Sequence, residues 1–442
     1  MEKLGDDELG IIWTNAATNL LYFSKRTGET TFSTPLQLNP VGTEVQDYNW
    51  SGPDLCASGS DVYVTYRDLG YETGHVYLVK SQDYGVTFGD TVRVDNLVTE
   101  YAQFPDVAVY NDTVYVTYMT HGFVTMNPQM ALSRSVDGGQ TFQPMVEASA
   151  WIGEEVCDCC PPEIIVDEER VIIIYRQNVF NEREIRAVVS YDRGETFSQV
   201  FVPDNHDWII NACPSSGADG RFLENGNPVC AYRTNFESEP SLYVNEYDLD
   251  ADVAVNTVEI YASAWSNAGI NYPQIAVAGP TIGLVWEGLG VSTDVFFNAS
   301  YTGVANLLPE NAINVTEIAN SQSKPDLAIL DGKFHIIYSE LSGAVVKYVQ
   351  VQNVTSVEEH EVSAVSLFPN PVSNAAQLDL SAYVFSTAEV TIYDLSGKVV
   401  YASQIASGSL SVNLNLEHLA PGTYNLQLVI DKKIEQLSFV KN

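Results

Sequence analysis

Apolar and polar positions follow one recurring unit along most of the chain. Each copy begins with Pro, which is usually followed by an acid or amide and then by a short apolar strand. After a turn comes a second strand, which carries an aromatic residue near its end. Five copies, beginning at Pro53, Pro105, Pro162, Pro273 and Pro325, hold the proline and the aromatic residue 13 positions apart. A sixth runs from Pro214 to Tyr232 with an insertion, and "LGDDELGIIWT" matches the second half of a seventh. This regularity indicates a repeat architecture.

The aromatic residues give the period of the repeat. They are Trp13, Tyr66, Tyr118, Tyr175, Tyr232, Trp286 and Tyr338, spaced 52 to 57 residues apart. That period fits four short antiparallel strands, and the alternation of Val, Ile, Tyr and Thr between Gly, Asn and Asp turns favours strands over helices. Repeated four-stranded units form a β-propeller, so the sequence predicts an all-β fold. Seven blades are favoured, and six is the alternative if the two terminal units combine.

A second motif follows the paired strands in three units. "SQDYGVTF", "SVDGGQTF" and "SYDRGETF" share the pattern S-x-D-x-G-x-T-F, and "SKRTGETTF" is a decayed copy with Arg26 in place of Asp. The pattern resembles the Asp-box of sialidase-like (BNR-repeat) propellers. The resemblance implies a turn between the third and fourth strands of a blade, away from the ligand face. We expect a structural role for the motif residues, because Ser and Asp cap tight turns and Gly permits the required φ. These residues are Ser81, Asp83, Gly85, Phe88, Ser135, Asp137, Gly139, Phe142, Ser190, Asp192, Gly194 and Phe197.

The repeat stops before a different C-terminal segment. "FPNP", "DLSGK" and "PGTY" follow one another between Phe368 and Tyr424, with a basic end at Lys441. This segment resembles the type A sorting domain of the Bacteroidetes type IX secretion system. The alternation of its strands predicts a small β-sandwich. We therefore expect a propeller over residues 1–355, a linker over 356–363 and a sorting domain over 364–442.

The resemblance implies a partner and a location. Type IX cargo interacts with the secretion machinery through this domain, and is then released or attached to the outer surface. Such cargo needs a signal peptide, yet "MEKLGDDELGIIW" has no basic segment followed by an apolar stretch. We expect the sequence to begin downstream of one, since the first repeat unit also begins cut short.

Charge narrows the classes of partner. The formal net charge is −36 in 442 residues, which repels phosphate backbones and anionic membranes. Nucleic-acid binding is therefore excluded, and no apolar run is long enough to span a membrane. An acidic surface suits salty or calcium-rich surroundings, which leaves a structural Ca²⁺ open. The resemblance to sialidase-like propellers implies an extracellular glycan or glycoprotein as the ligand.

Several unusual residues map to one face of the predicted propeller. Arg67, Arg176 and Arg233 each follow an aromatic anchor, and the loops that lead into the blades add Trp151, Trp208, Asn211 and Trp265. Three arginines around a channel are similar to the cluster with which sialidases bind a carboxylate. The alternative is a cross-strand ion pair, Asp54 with Arg67 and Glu163 with Arg176. Arg233 is the best ligand-binding candidate, because Ser215 occupies the acidic position in its unit.

The sequence does not identify a catalytic site as clearly as it identifies the fold. The F/Y-R-I-P motif of sialidases is absent, and no Tyr–Glu pair can be matched to their nucleophile and its supporting acid. Glycosidase chemistry needs two carboxylates. The main candidates are Glu154, Glu155, Glu163 and Asp207, and Asp158, Glu237 and Glu287 are further acids on the same face.

Cysteines form two groups. Cys56 and Cys230 lie within apolar alternation and are expected to be packing thiols. Cys157, Cys159, Cys160 and Cys213 lie just before the prolines of adjacent units. In an exported protein we expect one or two disulfides between these loops. A thiolate site for zinc or copper is the alternative. A catalytic thiol is disfavoured, because no nearby His is evident as its base.

Two functions remain open. The first is a secreted glycoside hydrolase of sialidase-like type, extending to a true exo-sialidase that uses the arginine cluster. The second is a non-catalytic propeller that binds glycan or protein at the same face. The sequence leans towards binding or an unassigned hydrolase over a true sialidase.

Overall fold

In the computed structural model, the described residues form seven four-stranded antiparallel sheets followed by one three-stranded and one four-stranded sheet. The structure describes residues 1–5, 8–70, 73–98, 100–122, 128–204, 206–236, 239–260, 266–289, 292–316, 320–340, 345–353, 356–361, 366–380, 385–394, 398–431 and 433–442. The first seven sheets follow the chain in order, each with its strands in sequence order, so each of them corresponds to one repeat unit.

The strands of blades 1 to 4 are as follows. Blade 1 holds β1 Glu2–Leu4, β2 Glu8–Asn15, β3 Leu20–Lys25 and β4 Leu36–Gln37. Blade 2 holds β5 Asp54–Ser58, β6 Asp61–Arg67, β7 Val76–Ser81 and β8 Val92–Arg93. Blade 3 holds β9 Glu100–Tyr110, β10 Thr113–Gly122, β11 Gln129–Ser135 and β12 Val146–Glu147. Blade 4 holds β13 Glu163–Val166, β14 Val171–Arg176, β15 Ile185–Ser190 and β16 Gln199–Phe201.

Blades 5 to 7 repeat the arrangement with longer strands. Blade 5 holds β17 Ala218–Phe222, β18 Pro228–Phe236, β19 Glu239–Asp248 and β20 Val253–Ile260. Blade 6 holds β21 Ser266–Ala278, β22 Thr281–Leu289, β23 Thr293–Ser300 and β24 Ile313–Asn314. Blade 7 holds β25 Gln322–Leu330, β26 Lys333–Glu340, β27 Val345–Asn353 and β28 Ser356–Glu361. The last of these strands pairs with β27, so the linker expected over 356–363 is wrong for residues 356–361.

The first strands of the blades contact one another around a closed ring. Strand β1 contacts β5, β5 contacts β9, and the series continues through β13, β17, β21 and β25 back to β1. The structure is therefore a seven-bladed propeller with the first strand of each blade innermost, which confirms the fold prediction. The unit expected to lack its first half has a three-residue inner strand, β1.

Each pair of neighbouring blades shares an apolar cluster. Between blades 4 and 5, for example, Ile172 and Ile174 pack with Cys230 and Tyr232. Blade 7 meets blade 1 in the same way, through Leu330 and Tyr348 against Leu9 and Ile11. The predicted anchor aromatics lie on the second strands, and six of the seven are buried. Apolar burial between sheets of this kind is the main stabilising term of a propeller.

Carboxylates of the inner strands also join neighbouring blades. One carboxylate oxygen accepts a hydrogen bond from a backbone N–H of the next inner strand, as in Asp54 with Val107 (3.1 Å), Asp106 with Ile164 (2.5 Å) and Asp219 with Ile275 (2.5 Å). These bonds satisfy buried donors that the sheets leave unpaired.

Antiparallel order assigns the ends of the strands to two faces. The start of the first strand, the end of the second and the start of the third lie at one end of a blade, together with the loop that leads into the next blade. We call this end the mouth face. The turn between the third and fourth strands lies on the opposite face.

The three S-x-D-x-G-x-T-F segments form turns on that opposite face with one shared set of hydrogen bonds. In the first, Gly85 N–H donates to Ser81 Oγ at 2.9 Å, and the Thr87 N–H and hydroxyl donate to the Asp83 carboxylate at 2.8 and 2.6 Å. The side-chain and backbone donors of Thr87 lower the pKa of Asp83 to about 2. Gly85 has a φ of +76°, which favours glycine. The same bonds recur at Ser135, Asp137, Gly139 and Thr141, and at Ser190, Asp192, Gly194 and Thr196.

The C-terminal segment forms two sheets with their own core. One sheet holds β29 Ser366–Phe368, β30 Ala375–Asp379 and β33 Ser411–Asn415. The other holds β31 Ala388–Asp394, β32 Val399–Ile405, β34 Gly422–Ile430 and β35 Lys433–Lys441. Their core cluster draws all its members from this segment, among them Leu378, Ile392 and Leu426. The only helical elements among the described residues are three-residue 3₁₀ turns, and none of them could cross a membrane.

Candidate functional site at the channel mouth

A cavity of about 540 Å³ lies at the mouth of the central channel. Residues at the start of the inner strands line it in all seven blades. Aromatic and charged side chains complete the wall, among them Tyr48 and Trp50 from the loop that leads into blade 2, Tyr272 from β21 and Lys324 from β25. The rings of Tyr48 and Trp50 stack at 4.9 Å, and Lys324 forms an ion pair with Asp47 at 2.9 Å. Concave sites of this size, with few polar groups on an aromatic wall, are typical of small-ligand binding.

Two wall residues come from irregular strand starts. The register of β21 with β22 shifts between Asn271 and Gln274, and Tyr272 has a φ of +49°. The same irregularity recurs before Pro325, where Lys324 has a φ of +54°. A β-bulge of this kind redirects a side chain out of the normal alternation. Both residues directly precede the proline of their repeat unit. This position could have identified them as site candidates from the sequence.

Glu287 lies on β22 beside this bulge. The side chain is buried, and its carboxylate accepts a hydrogen bond from the Lys324 backbone N–H at 2.7 Å. Burial raises the pKa of Glu287 to about 7, although that N–H and the Lys324 charge oppose the shift. Burial and the nearby Glu287 also raise the pKa of Tyr272 to about 12, against the opposing charge of Arg233. A carboxyl group that titrates near neutral pH suits proton transfer.

Arg233 approaches Tyr272 from the neighbouring blade. The guanidinium lies 5.3 Å from the centre of the Trp208 ring, and Arg176 lies over the same ring at 5.0 Å. Burial and the nearby Arg176 charge lower the pKa of Arg233. Within the described part of the chain, Arg233 Nε has no hydrogen-bond partner and no ion pair involves its side chain.

Arg67 and Arg176 bind backbone carbonyls instead of acids. Arg67 donates to Ala102 O and Gly70 O, both at 2.5 Å. Fully buried Arg176 donates to the carbonyl oxygens of Ser216, Arg183 and Arg233. These contacts bind neighbouring loops together.

The predicted ion pairs of these arginines with cross-strand acids are wrong. Asp54 lies opposite Thr65, and Glu163 lies opposite Ile174. Each acid therefore faces the residue before the aromatic anchor instead of the one after it. In blade 5, Asp219 faces Ala231 and takes the acidic position assigned to Ser215.

The four predicted catalytic acids do not converge. Glu163 lines the channel and pairs with Arg221 at 2.6 Å, and burial together with Asp219 raises its pKa. Glu154 pairs with Arg186, and Glu155 is exposed. Asp207 lies in a carboxylate group with Glu182 and Glu184, all within 4.8 Å of one another. Asp158 is also exposed, and Glu237 lies outside the described residues.

The predicted loop residues differ in their surroundings. Trp208 is buried, and the guanidinium groups of Arg176 and Arg233 both lie over its ring. Trp151 is 49% exposed, and its indole N–H donates to Ala148 O at 2.9 Å. Asn211 is exposed, and Trp265 lies outside the described residues.

A disulfide links the loops that lead into blades 4 and 5. Cys159 and Cys213 form a disulfide, as the sequence predicts for these loops. The loops also pack closely, since a Cβ on Gly217 would lie 2.5 Å from Pro161 O. Cys157 and Cys160 are free and buried, and their Sγ atoms lie 3.2 Å apart. Cys56 and Cys230 are also free, in β5 and β18 as expected.

Comparison with known families agrees with the C-terminal domain. Residues 366–442 match the family "Secretion system C-terminal sorting domain". The described sorting domain therefore implies export or attachment at the cell surface. No curated protein sequence matches the chain.

Solved structures similar to this chain include glycosidases. A sialidase from Trypanosoma rangeli in complex with sialic acid has 9% identity and a TM-score of 0.45, over 99% of this chain and 89% of that one. NanB sialidase (K499G) from Streptococcus pneumoniae has 8% identity and a TM-score of 0.45, over 80% and 84%. Phage phi92 endosialidase has 12% identity and a TM-score of 0.41 over 78% of this chain, which spans 65% of that protein, less than two thirds of its length.

The chain thus combines a seven-bladed β-propeller with a C-terminal segment that matches the secretion sorting domain, and the sequence predicts both.

Proposed function

We propose that this protein is exported by type IX secretion and acts on an extracellular glycan at the channel mouth. The observation that carries the proposal is the cavity of about 540 Å³ that Tyr272 lines, together with the buried Glu287, whose charge acts on Tyr272. The stacked rings of Tyr48 and Trp50 offer an apolar surface for a sugar ring. Arg233, which lacks an acidic partner among the described residues, supplies a positive charge for an acidic substituent.

The chemistry follows from the two pKa values. Tyr272 is protonated at neutral pH, because its pKa is about 12. Glu287, with a pKa of about 7, is half ionised there, and we assign it to take that proton as the Tyr272 oxygen attacks the anomeric carbon. The glycosidic bond breaks in this step, and the leaving group takes a proton from solvent. Tyrosine acting as nucleophile with a carboxylate as base is one established route to glycoside cleavage. We therefore assign Tyr272 as the nucleophile and Glu287 as its base.

A non-catalytic glycan-binding propeller is the second candidate. The observation that favours it is the dispersal of the other acids, since of the four predicted from sequence only Glu163 lines the cavity, and it is engaged by Arg221. Binding would then use the same aromatic wall and Arg233 without a proton-transfer step.

A panel of aryl-glycosides, sialosides and a glycan array distinguishes the two candidates. If the protein is a hydrolase, Glu287→Gln lowers kcat by about 10²- to 10⁴-fold while glycan binding persists. Tyr272→Phe removes the nucleophile and has at least the same effect. Glu310→Gln, an exposed acid on the opposite face of blade 6, is the matched control and keeps full activity. Glycan binding with no turnover on any substrate contradicts the hydrolase and supports the second candidate.

A further inference from the structure

A group of sulfur atoms lies buried beside the mouth. Cys157, Cys159 and Cys160 form an apolar cluster of their own, and two of them are not part of the disulfide. A turn holds the free pair together, because Cys160 N–H donates to Cys157 O while Cys157 N–H donates to Arg176 O at 2.8 Å. The two free Sγ atoms face each other at 3.2 Å, and both residues have 0% exposure. This C-x-x-C turn presents two sulfur atoms to one buried point.

The surroundings of the pair are positively charged. The charges of Arg176 and Arg183 both act on Cys160. Neither guanidinium forms an ion pair with a carboxylate within the described ranges. Arg183 Nε and Nη1 are buried without a hydrogen-bond partner there. An uncompensated buried cation is costly, so the two guanidinium groups favour an anionic partner nearby, and Cys160 is the sulfur on which both charges act.

We propose that Cys157 and Cys160 form a buried two-coordinate site for Cu⁺. Thiolates select soft metal ions, of which Cu⁺ and Zn²⁺ are the common cases. Zn²⁺ requires about four ligands. With Cys159 held in the disulfide, the described residues offer two free cysteine sulfur atoms at this site, and Cu⁺ is stable with two.

The charges balance at this site. Two thiols lose two protons to solvent and bind one Cu⁺, which leaves a net charge of −1 on the complex. No electron is transferred, and the Cys159–Cys213 disulfide is unchanged. Arg176 and Arg183 compensate the negative charge, and the unpaired Arg183 donors find acceptors in the thiolates. The site is independent of the proposed glycan chemistry.

Titration with Cu⁺ tests the proposal. The full chain, purified without reductant and kept anaerobic, receives Cu⁺ as its acetonitrile complex in competition with bicinchoninate. We expect one Cu⁺ per chain, and X-ray absorption at the copper edge should show two sulfur neighbours. Cys157→Ser and Cys160→Ser should abolish this binding. Cys230→Ala, a free buried cysteine in blade 5, is the matched control and should bind as the parent does. Arg183→Met should weaken binding by about 10- to 100-fold, and Arg183→Lys by less.

Three results would overturn the proposal. One is a count of two free thiols in the unreduced, denatured chain, since the free cysteines Cys56, Cys157, Cys160 and Cys230 predict four. The second is nitrogen or oxygen as the main copper neighbour in the parent protein, a result that needs no variant to fold. The third is unchanged Cu⁺ affinity in both serine variants.

Discussion

The position after the aromatic anchor carries Arg67, Arg176, Arg233 and Glu287 in four different blades. Its surroundings decide what each of these residues does. Arg67 and Arg176 meet carbonyl oxygens, so their charge binds loops together. The Glu287 carboxylate accepts a hydrogen bond from one N–H and is largely shielded from water, so burial favours its neutral form.

The raised pKa of Glu287 predicts a pH dependence of stability. The folded-state pKa of about 7 lies above the ordinary value of 4.5, so the folded protein binds the proton more tightly. This stabilisation is complete below pH 4.5 and is lost as pH rises through 7. Between pH 5 and 8 we expect the parent to lose up to about 3 kcal/mol of unfolding free energy that Glu287→Gln retains. Urea unfolding at several pH values measures the difference.

Glu310→Gln serves as the control for this pH series, because Glu310 is exposed. Its unfolding free energy should follow that of the parent at every pH. Parallel curves for Glu287→Gln and the parent would contradict the burial argument.

Individual site residues were only partly predictable from the sequence. Spacing identified Arg233 and Glu287, since both follow an anchor. The sequence analysis expected Asp54 opposite Arg67, but Asp54 pairs with Thr65. This register was not predictable, because the hairpin turn sets which residues pair and the repeat period does not. Tyr272 was missed because a bulge redirects its side chain, and alternation cannot show a bulge.

Neighbouring inner strands are held together in part by hydrogen bonds from backbone N–H groups to carboxylates. We expect Asp106→Ala to destabilise the protein by about 1–3 kcal/mol, since it leaves the Ile164 N–H without its acceptor. Asp106→Asn keeps an acceptor oxygen and should cost much less. Asp112→Ala, an exposed change in the adjoining hairpin turn, is the control. Equal effects of Ala and Asn in denaturant unfolding would rule out this role.

The disulfide is a second connection between elements. We expect the double change Cys159→Ala with Cys213→Ala to lower the unfolding free energy by about 2–4 kcal/mol, because a link over 54 residues restricts the unfolded chain. The parent protein in reductant should unfold at the same urea concentration as the double variant. A midpoint equal to that of the oxidised parent would show that the disulfide adds no stability.

The sequence predicted elements better than contacts. The proline-to-aromatic distance is the length of one hairpin, so it identified the inner and second strands of five blades directly. Strand β28 was assigned to a linker, because Ser356–Glu361 is polar and lies beyond the last anchor. Which sulfur reaches Cys213 was also open, since three cysteines lie within four residues.

At the scale of the whole molecule, the sorting domain has a core separate from the blades. We expect a chain without residues 366–442 to keep glycan binding at the mouth but to lose export. Protease treatment of intact cells, with immunodetection of the protein, measures the surface fraction. Surface exposure of the shortened chain at the parent level would contradict the assigned role of this domain.

The ring of blades has one interface that no connecting segment crosses. Each blade consists of four consecutive strands, so the described residues of blades 7 and 1 meet through non-covalent contacts, among them the packing of Tyr348 with Ile11 and the ion pair of the Met1 amino group with Asp326. The disulfide between the loops leading into blades 4 and 5 lies on the far side of the ring. The ring of blades is therefore closed by non-covalent contacts on one side and reinforced by a disulfide on the opposite side. Thermal expansion should therefore widen the channel first between blades 7 and 1, while the wall that carries Arg176, Trp208 and the buried sulfur pair keeps its shape.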